Sequence, residues 1–184
     1  MKSMEKYFLA LIPEEEILQK ANDIKEALRE KFGVKYALKS PPHITLKMPF
    51  SYNEAKEDQL VQRIGGFLKE QLPISVNVTG VGTFGNRVVF LDIEKSLSLE
   101  ELQRGLKVFC KTELHLTDEL SDRNFHPHLT VAFKDLKTAH FPAILQEVRS
   151  RSFRGEFIAS QLVLLKRLEG KWILHHKIPF GGDF

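Results

Sequence analysis

One phrase in this chain is written twice. "PPHITLKM" begins at Pro41 and "HPHLTVAF" begins at His126; both contain Pro-His-aliphatic-Thr-aliphatic, and the two histidines lie 85 positions apart. A chain of this composition is expected to hold on the order of 0.003 chance copies of Pro-His-aliphatic-Thr, so the repetition constrains the fold. On a strand, residues two apart share a face. His43, Thr45 and Lys47 are therefore expected on one face, with Ile44, Leu46 and Met48 on the other. His128 and Thr130 likewise oppose Leu129, Val131 and Phe133. The aliphatic side has to be the core side. The chain must then build two half-buried strands, each presenting an imidazole and a hydroxyl away from its core.

The flanks of the two phrases match. "KYFLALIP" has the length and composition of a buried strand. Pro13 then opens a helix with the stripe Ile17, Ala21, Ile24 and Leu28, closed by Gly33. After the His43 strand, Asn53 is placed to cap a second helix with the stripe Leu60, Ile64, Phe67 and Leu68. "ISVNVTGVGTF" and "RVVFLDI" read as two strands around a two-residue Gly85-Asn86 turn. Ser98 and Glu101 form a capping box ahead of Leu102, Leu106 and Phe109. The His128 strand follows, then a short helix from Pro142 with Ile144, Leu145 and Val148. A closing hairpin, "LVLLKRLEGKWILHHKIPF", turns at Glu169-Gly170. The expected order is β-α-β-α-ββ-α-β-α-ββ, which nearly overlays itself when shifted by half. The fold class is α+β: two similar lobes of antiparallel sheet and helices, one motif in each, within one unit spanning residues 1–184.

With 42% hydrophobic and 28% charged residues, the composition is globular and argues against disorder. A net charge of +3 suits an anionic ligand without the basic stripe that long duplex binding needs. The single cysteine, Cys110, excludes an internal disulfide framework and points to a reducing compartment; next to Phe109, it reads as core. The opening apolar run is too short to span a membrane and lacks a small-residue cleavage site. The expectation is a cytoplasmic protein with no membrane attachment and no obligate protein partner.

Two imidazoles and two hydroxyls converging across a cleft suit the splitting of a phosphodiester. One neutral imidazole takes a proton from the nucleophile while a second, protonated one gives a proton to the departing oxygen. The hydroxyls donate to the non-bridging phosphate oxygens, where charge gathers, and Lys47 would add a fixed cation. No metal or other cofactor is required. Several other readings stand beside this one. Each histidine could be a half-buried residue satisfied by backbone. His126 and His128 could chelate a metal, although Asp122 is the one acidic residue nearby and Pro127 disturbs the geometry between them. His175 and His176 lie on a strand with alternating faces, so at most one of them is expected to point into any one site. His115 and His140 fall near helix ends, where a structural role suffices.

"PPHITLK" and "FHPHLTVAF" resemble the paired His-x-Thr signatures of the 2H phosphoesterase superfamily, and the whole chain is most similar to its 2′-5′ RNA ligase-like members. This resemblance implies a bilobal fold with approximate two-fold symmetry around a central groove. It implies action on 2′,3′-cyclic phosphate ends of RNA or on cyclic nucleotides, and in some members the joining of RNA ends. His43 and His128 would be catalytic, with Thr45 and Thr130 binding phosphate. Phe125 and Phe50 could stack on a base, and Lys47 and Arg123 could contact phosphate. Met48-Pro49 departs from the pattern common in relatives, and Lys47 corresponds to Ala132 in the second motif. Which histidine is base and which acid stays open, as do ligation through the same site and a non-catalytic module binding RNA ends.

Overall fold

The computed structural model describes residues 3–182. In chain order its elements are β1 (Met4–Leu11), α1 (Glu15–Phe32), β2 (Ile44–Asn53), α2 (Glu57–Phe67), β3 (Ile74–Phe84), β4 (Val88–Ile93), α3 (Leu97–Thr112), the single-turn α4 (Leu120–Arg123), β5 (His128–Phe133), α5 (Phe141–Arg151), β6 (Gly155–Ala159), β7 (Gln161–Leu168) and β8 (Lys171–Pro179). They form two four-stranded antiparallel sheets, ordered β2-β1-β7-β8 and β5-β4-β3-β6. The motif strands β2 and β5 occupy the same edge position in the two sheets, which is the expected pseudo-two-fold α+β architecture.

The lobes are not halves of the chain. The first sheet takes its inner strand β7 and its edge strand β8 from the C-terminus, so the chain crosses between lobes after α2 and again at Ser160. That second crossing hides β6, which the expected order lacked. Phe157 and Ala159 are buried in strand alternation, but Ser160 alone separates β6 from β7 and no turn signal marks the change of sheet.

Helix stripes fall where periodicity put them. Ile17, Ala21, Ile24 and Leu28 of α1 are buried, and Gly33, at φ 69°, closes the helix by donating its N–H to the Arg29 carbonyl at 2.9 Å. Pro13 lies just outside α1, whose cap position is Glu14. Asn53 caps a short 3₁₀ turn at Glu54–Lys56 that leads into α2; its side chain accepts from the Ala55 N–H at 3.1 Å. The cap of α3 is Ser96, two residues before the expected Ser98; its hydroxyl accepts from the Leu99 N–H at 3.3 Å. The β3–β4 loop has three residues, Gly85 to Arg87, closed by the Arg87 N–H on the Phe84 carbonyl. The last hairpin turns at Glu169 and Gly170, both at positive φ, as expected.

The main core gathers the inner faces of both sheets with α1, α2, α3 and α5, and Cys110 is part of it. A smaller apolar cluster covers the opposite face of the first sheet: Phe8, Ala10, Val163 and Leu165, with Trp172 packed against them. This second face looks into the cleft.

Candidate active site

Both motif histidines are held in the same way. His43 sits immediately before β2, and its Nδ1 lies 2.7 Å from the Pro41 carbonyl oxygen. His128 opens β5, and its Nδ1 lies 2.6 Å from the His126 carbonyl oxygen. Each acceptor belongs to the residue preceding a proline, Pro42 or Pro127, a residue biased to extended backbone. A carbonyl can only accept, so both Nδ1 atoms carry hydrogen. The neutral rings therefore keep the Nε2 lone pair for the cleft. This explains the proline in each phrase: it shapes the carbonyl that fixes the tautomer.

The cleft between the sheets measures about 500 Å³, and His43, Thr45, His128 and Thr130 all line it. Its walls beside the imidazoles are aromatic. The Phe8 ring centroid is 4.8 Å from that of His43, and Phe84 and Phe90 lie 5.1 and 5.0 Å from His128. Gly82 makes room for the Phe90 ring: a Cβ there would fall 2.3 Å from the ring edge. Desolvation penalises imidazolium in such surroundings. It pushes His43 down to about 4, against the Pro41 carbonyl, which favours the charged form; the Lys25 and His128 charges lower it further. His128 is also lowered, first by burial and then by His126, while the His126 carbonyl and the Asp92 carboxylate pull it back up. Two neutral imidazoles with different electrostatic surroundings thus face one cavity.

Other expected residues are placed differently. The β1–β2 register slips so that Leu9 faces Lys47 and Ala10 faces Thr45, leaving Leu46 as an extra residue. That bulge reverses the alternation. Lys47 turns to the core side, 1% exposed, and Met48 joins the cleft lining instead. The Lys47 ammonium pairs with the Asp122 carboxylate and donates to the Thr117 carbonyl at 2.7 Å, so it does not face the cleft as a phosphate contact. Phe50 is also turned away and stacks on Tyr7 at 6.1 Å. Arg123 is exposed and borders a separate depression beside α3. Phe125 does line the cleft, as does His126. Among the described residues, no group of three closely spaced ligand atoms includes His126 or His128; Asp122 is tied to Lys47, and the His126 Nε2 lies 3.2 Å from an Asp92 oxygen.

Asp122 is a hub that single-strand reasoning did not expose. Its Oδ1 accepts the Met48 N–H at 2.8 Å, and its Oδ2 accepts the Glu119 N–H at 2.9 Å as well as the Lys47 ammonium. Its main-chain carbonyl accepts from the Gln103 amide at 2.9 Å. It thereby staples the lead-in to the second motif onto the strand of the first. Lys25 plays a matching part below His43. This buried ammonium donates to the carbonyls of Ala37 and Ser40 at 3.0 and 3.1 Å, and burial pushes it down to about 7.

A basic and aromatic rim was missed too. Tyr36, Lys39, Lys134, Arg167 and Trp172 line the outer cleft. Lys134 donates to the Tyr36 hydroxyl at 3.0 Å, and the Lys39 ammonium lies 4.6 Å from the Tyr36 ring centroid. Lys39 precedes "SPPH" and Lys134 follows "HLTVAF", so their proximity to the motifs was the available signal.

A model of the 2′-5′ RNA ligase superfamily matches residues 13–171 of the chain. A Bacillus mycoides protein bearing a phosphoesterase name is 31% identical over 181 residues, covering 95% of this chain and 96% of that one. A similarly named Bacillus cytotoxicus protein is 32% identical over 179 residues, covering 94% and 95%. Among solved structures, TT0787 of Thermus thermophilus superposes with a TM-score of 0.69 at 18% identity, covering 97% of this chain and all of that one. LigT of E. coli in its apo form superposes with a TM-score of 0.60 at 14% identity, covering 97% and 98%. LigT has also been crystallised with 3′-AMP, in a form giving a TM-score of 0.60 at 15% identity and covering 97% and 99%. The two solved proteins share the fold. Among the described residues, no helix is long and apolar enough to cross a membrane.

Proposed function

The chain belongs to the 2′-5′ RNA ligase superfamily, and from that premise we propose that it is a phosphoesterase that opens 2′,3′-cyclic phosphates on RNA ends or nucleotides. The observation that carries this reading is the matched pair of imidazoles. Each is held at Nδ1 by a carbonyl two residues back, and each keeps Nε2 for a cleft that also holds Thr45 and Thr130.

His43 Nε2 takes a proton from water as the water oxygen bonds to phosphorus. The bond from phosphorus to O3′ breaks, and His128 Nε2–H protonates the departing oxygen, leaving a 2′-phosphate. The roles follow the surroundings. His43, at about 4, stays neutral over most of the working range and suits the base. His128 has the Asp92 carboxylate to favour its charged form and suits the acid. Thr45 and Thr130 donate to the non-bridging oxygens as charge builds there. The scheme needs no metal. Phe125 offers a face for a base, and Lys39, Lys134 and Arg167 suit the phosphates of a longer strand. The binding of 3′-AMP to LigT supports a nucleotide in the equivalent cleft. Joining of RNA ends through a 2′-5′ linkage is the same step with a 5′-hydroxyl in place of water: His43 takes its proton as its oxygen bonds to phosphorus, and His128 again protonates the departing O3′.

The test is incubation with 2′,3′-cyclic AMP, and with short RNA ending in a cyclic phosphate, in the presence of EDTA, with the product assigned by ³¹P NMR. A 2′-phosphate product formed despite the chelator is expected. Absence of turnover on both substrates would overturn the proposal, and a 3′-phosphate would overturn the assignment of the broken bond.

A further inference from the structure

The face of the first sheet turned away from the cleft carries a second cluster of titratable side chains. In the β7–β8 pairing, Leu164 faces His176 and Leu165 faces Leu174, which leaves His175 as an extra residue. Consecutive strand residues ordinarily point to opposite faces, and a bulge is the device that re-aims one of them. Here it brings both imidazoles to the first residue of α2. His175 Nε2 lies 2.6 Å and His176 Nε2 3.1 Å from Glu57 Oε1, and the three donor atoms all lie within 4.8 Å of one another. The sequence-based expectation of one histidine per face is corrected by this bulge.

The two oxygens of Glu57 have separate partners. Oε2 accepts from the Tyr7 hydroxyl at 2.6 Å and from the Lys166 ammonium at 3.1 Å. Among the described residues, Oε1 meets the two imidazoles alone. Lys166 is in turn bonded to Glu54 at 2.7 Å, so two carboxylates face one ammonium and the cluster carries a net negative charge while the imidazoles are neutral. Burial alone would raise the Glu57 carboxyl, but hydrogen bonds from Tyr7, His176, His175 and Lys166 outweigh it and hold the group at about 2. The side chains of His175, His176 and Glu57 are 27%, 34% and 15% exposed, which leaves one side of the cluster open to solvent.

We propose that Glu57, His175 and His176 form a binding site for a borderline-soft divalent transition cation, of which Zn²⁺ is the type. Two imidazole nitrogens and one carboxylate oxygen are the donors such ions take, with solvent in the fourth position; two nitrogen donors make the site a poor one for Mg²⁺ or Ca²⁺. Metal–ligand bonds of about 2.0–2.1 Å in a tetrahedron separate neighbouring donors by about 3.3 Å. The present separations reach that with side-chain adjustments of under about an ångström. The cation would replace the hydrogens that the rings now aim at Oε1, and the donors on Oε2 would orient the ligating carboxylate as outer partners. Tyr7, Lys166 and His176 share the face opposite Phe8, Leu165 and Arg167, so the site is separate from the cleft and takes no part in the phosphoester step. Its effect is to tie the start of α2 to the edge strand β8.

The full chain, freed of metal by chelator dialysis, is titrated with Zn²⁺ by calorimetry and with Co²⁺ by visible absorption. One equivalent is expected, with a four-coordinate Co²⁺ spectrum and a raised thermal midpoint in Zn²⁺. His175→Ala and His176→Ala should each weaken binding at least about tenfold, while His126→Ala leaves it unchanged. Mapping diethylpyrocarbonate modification in the wild type, with and without Zn²⁺, gives a readout free of any folding defect, with protection expected on the peptide holding His175 and His176. Failure to bind either metal, or binding indifferent to His175 and His176, or protection confined to His126 and His128, would each overturn the site. None of these outcomes bears on turnover of cyclic phosphates by the chelated protein.

Discussion

Replacing Asp122 with Ala is expected to be among the most damaging single changes outside the histidines. The side chains of Asp122 and Lys47 are each 1% exposed, so water does not screen the pair. Removing the carboxylate strands the Lys47 ammonium in the interior with the Thr117 carbonyl as its remaining partner, and it frees the N–H groups of Met48 and Glu119. Breaking a buried pair from one side costs about 3–5 kcal/mol, mostly from the uncompensated charge left behind. In a chain of 184 residues that corresponds to a fall in midpoint of about 6–20 °C. Adding Lys47→Met to Asp122→Ala removes the stranded ammonium and should recover at least about 2 kcal/mol of the loss, the Met48 and Glu119 N–H groups keeping their share of it. Urea unfolding of the wild type, both single variants and the double variant gives the cycle directly. A loss below about 1 kcal/mol for Asp122→Ala, or strict additivity of the two sites, would refute the staple between the motif strands.

Three further outcomes follow from the same geometry. The pH dependence of kcat/KM should be a bell with its maximum on the acid side of neutrality. The base must be unprotonated, so the rate rises with pH through about 4 for His43; the acid must be protonated, so the rate falls as pH passes the lowered value of His128, below the ordinary 6.5. A maximum above pH 7 in kcat/KM would contradict this ordering. Gly82→Ala should drive a methyl into the Phe90 ring beside His128, costing about 1–3 kcal/mol and lowering kcat, as read by thermal unfolding and steady-state assay. Lys39→Ala with Lys134→Ala should raise KM for RNA ending in a cyclic phosphate more than for a cyclic mononucleotide. The same change should flatten the logarithmic salt dependence by about 0.7 for each phosphate no longer neutralised, measured by titrating salt at fixed pH.

Much of the fold was legible because local signals and burial agree. Gly33 ends α1 where a left-handed residue is needed, and Glu169-Gly170 turns the last hairpin. The motif strands present His43 with Thr45 and His128 with Thr130, as strict alternation requires. Two of the failures share one physical cause. A bulge adds a residue to one strand without any mark in composition, and the residues after it change face until a second irregularity, as between Lys47 and Phe50, restores the alternation. Lys47 left the cleft and His175 joined His176 for that reason. The partnership of Lys47 with Asp122 joins residues 75 positions apart, and it unites two side chains that sequence reasoning had weighed separately, one as a phosphate contact and one as a metal ligand. The crossing at Ser160 was hidden because an extended chain can change sheets without a turn. The rim of Tyr36, Lys39 and Lys134 is assembled from a single 3₁₀ turn at Tyr36–Lys39 and the loop after β5, both beyond the motif strands and too short for periodicity to carry information.

The central claim is that two histidines on two sheets share one proton-transfer task. Its most direct test is turnover of 2′,3′-cyclic AMP in EDTA by wild type, His43→Ala and His128→Ala, run side by side after circular dichroism has established that all three are folded. The wild type should turn over, and each variant should lose about 10²–10⁴-fold in kcat, the contribution of one positioned acid or base. The double variant should lose far less than the product of the two single losses, because the residues act as a unit. A variant that keeps most of the wild-type rate, or wild-type turnover abolished by the chelator, would contradict the two-histidine account.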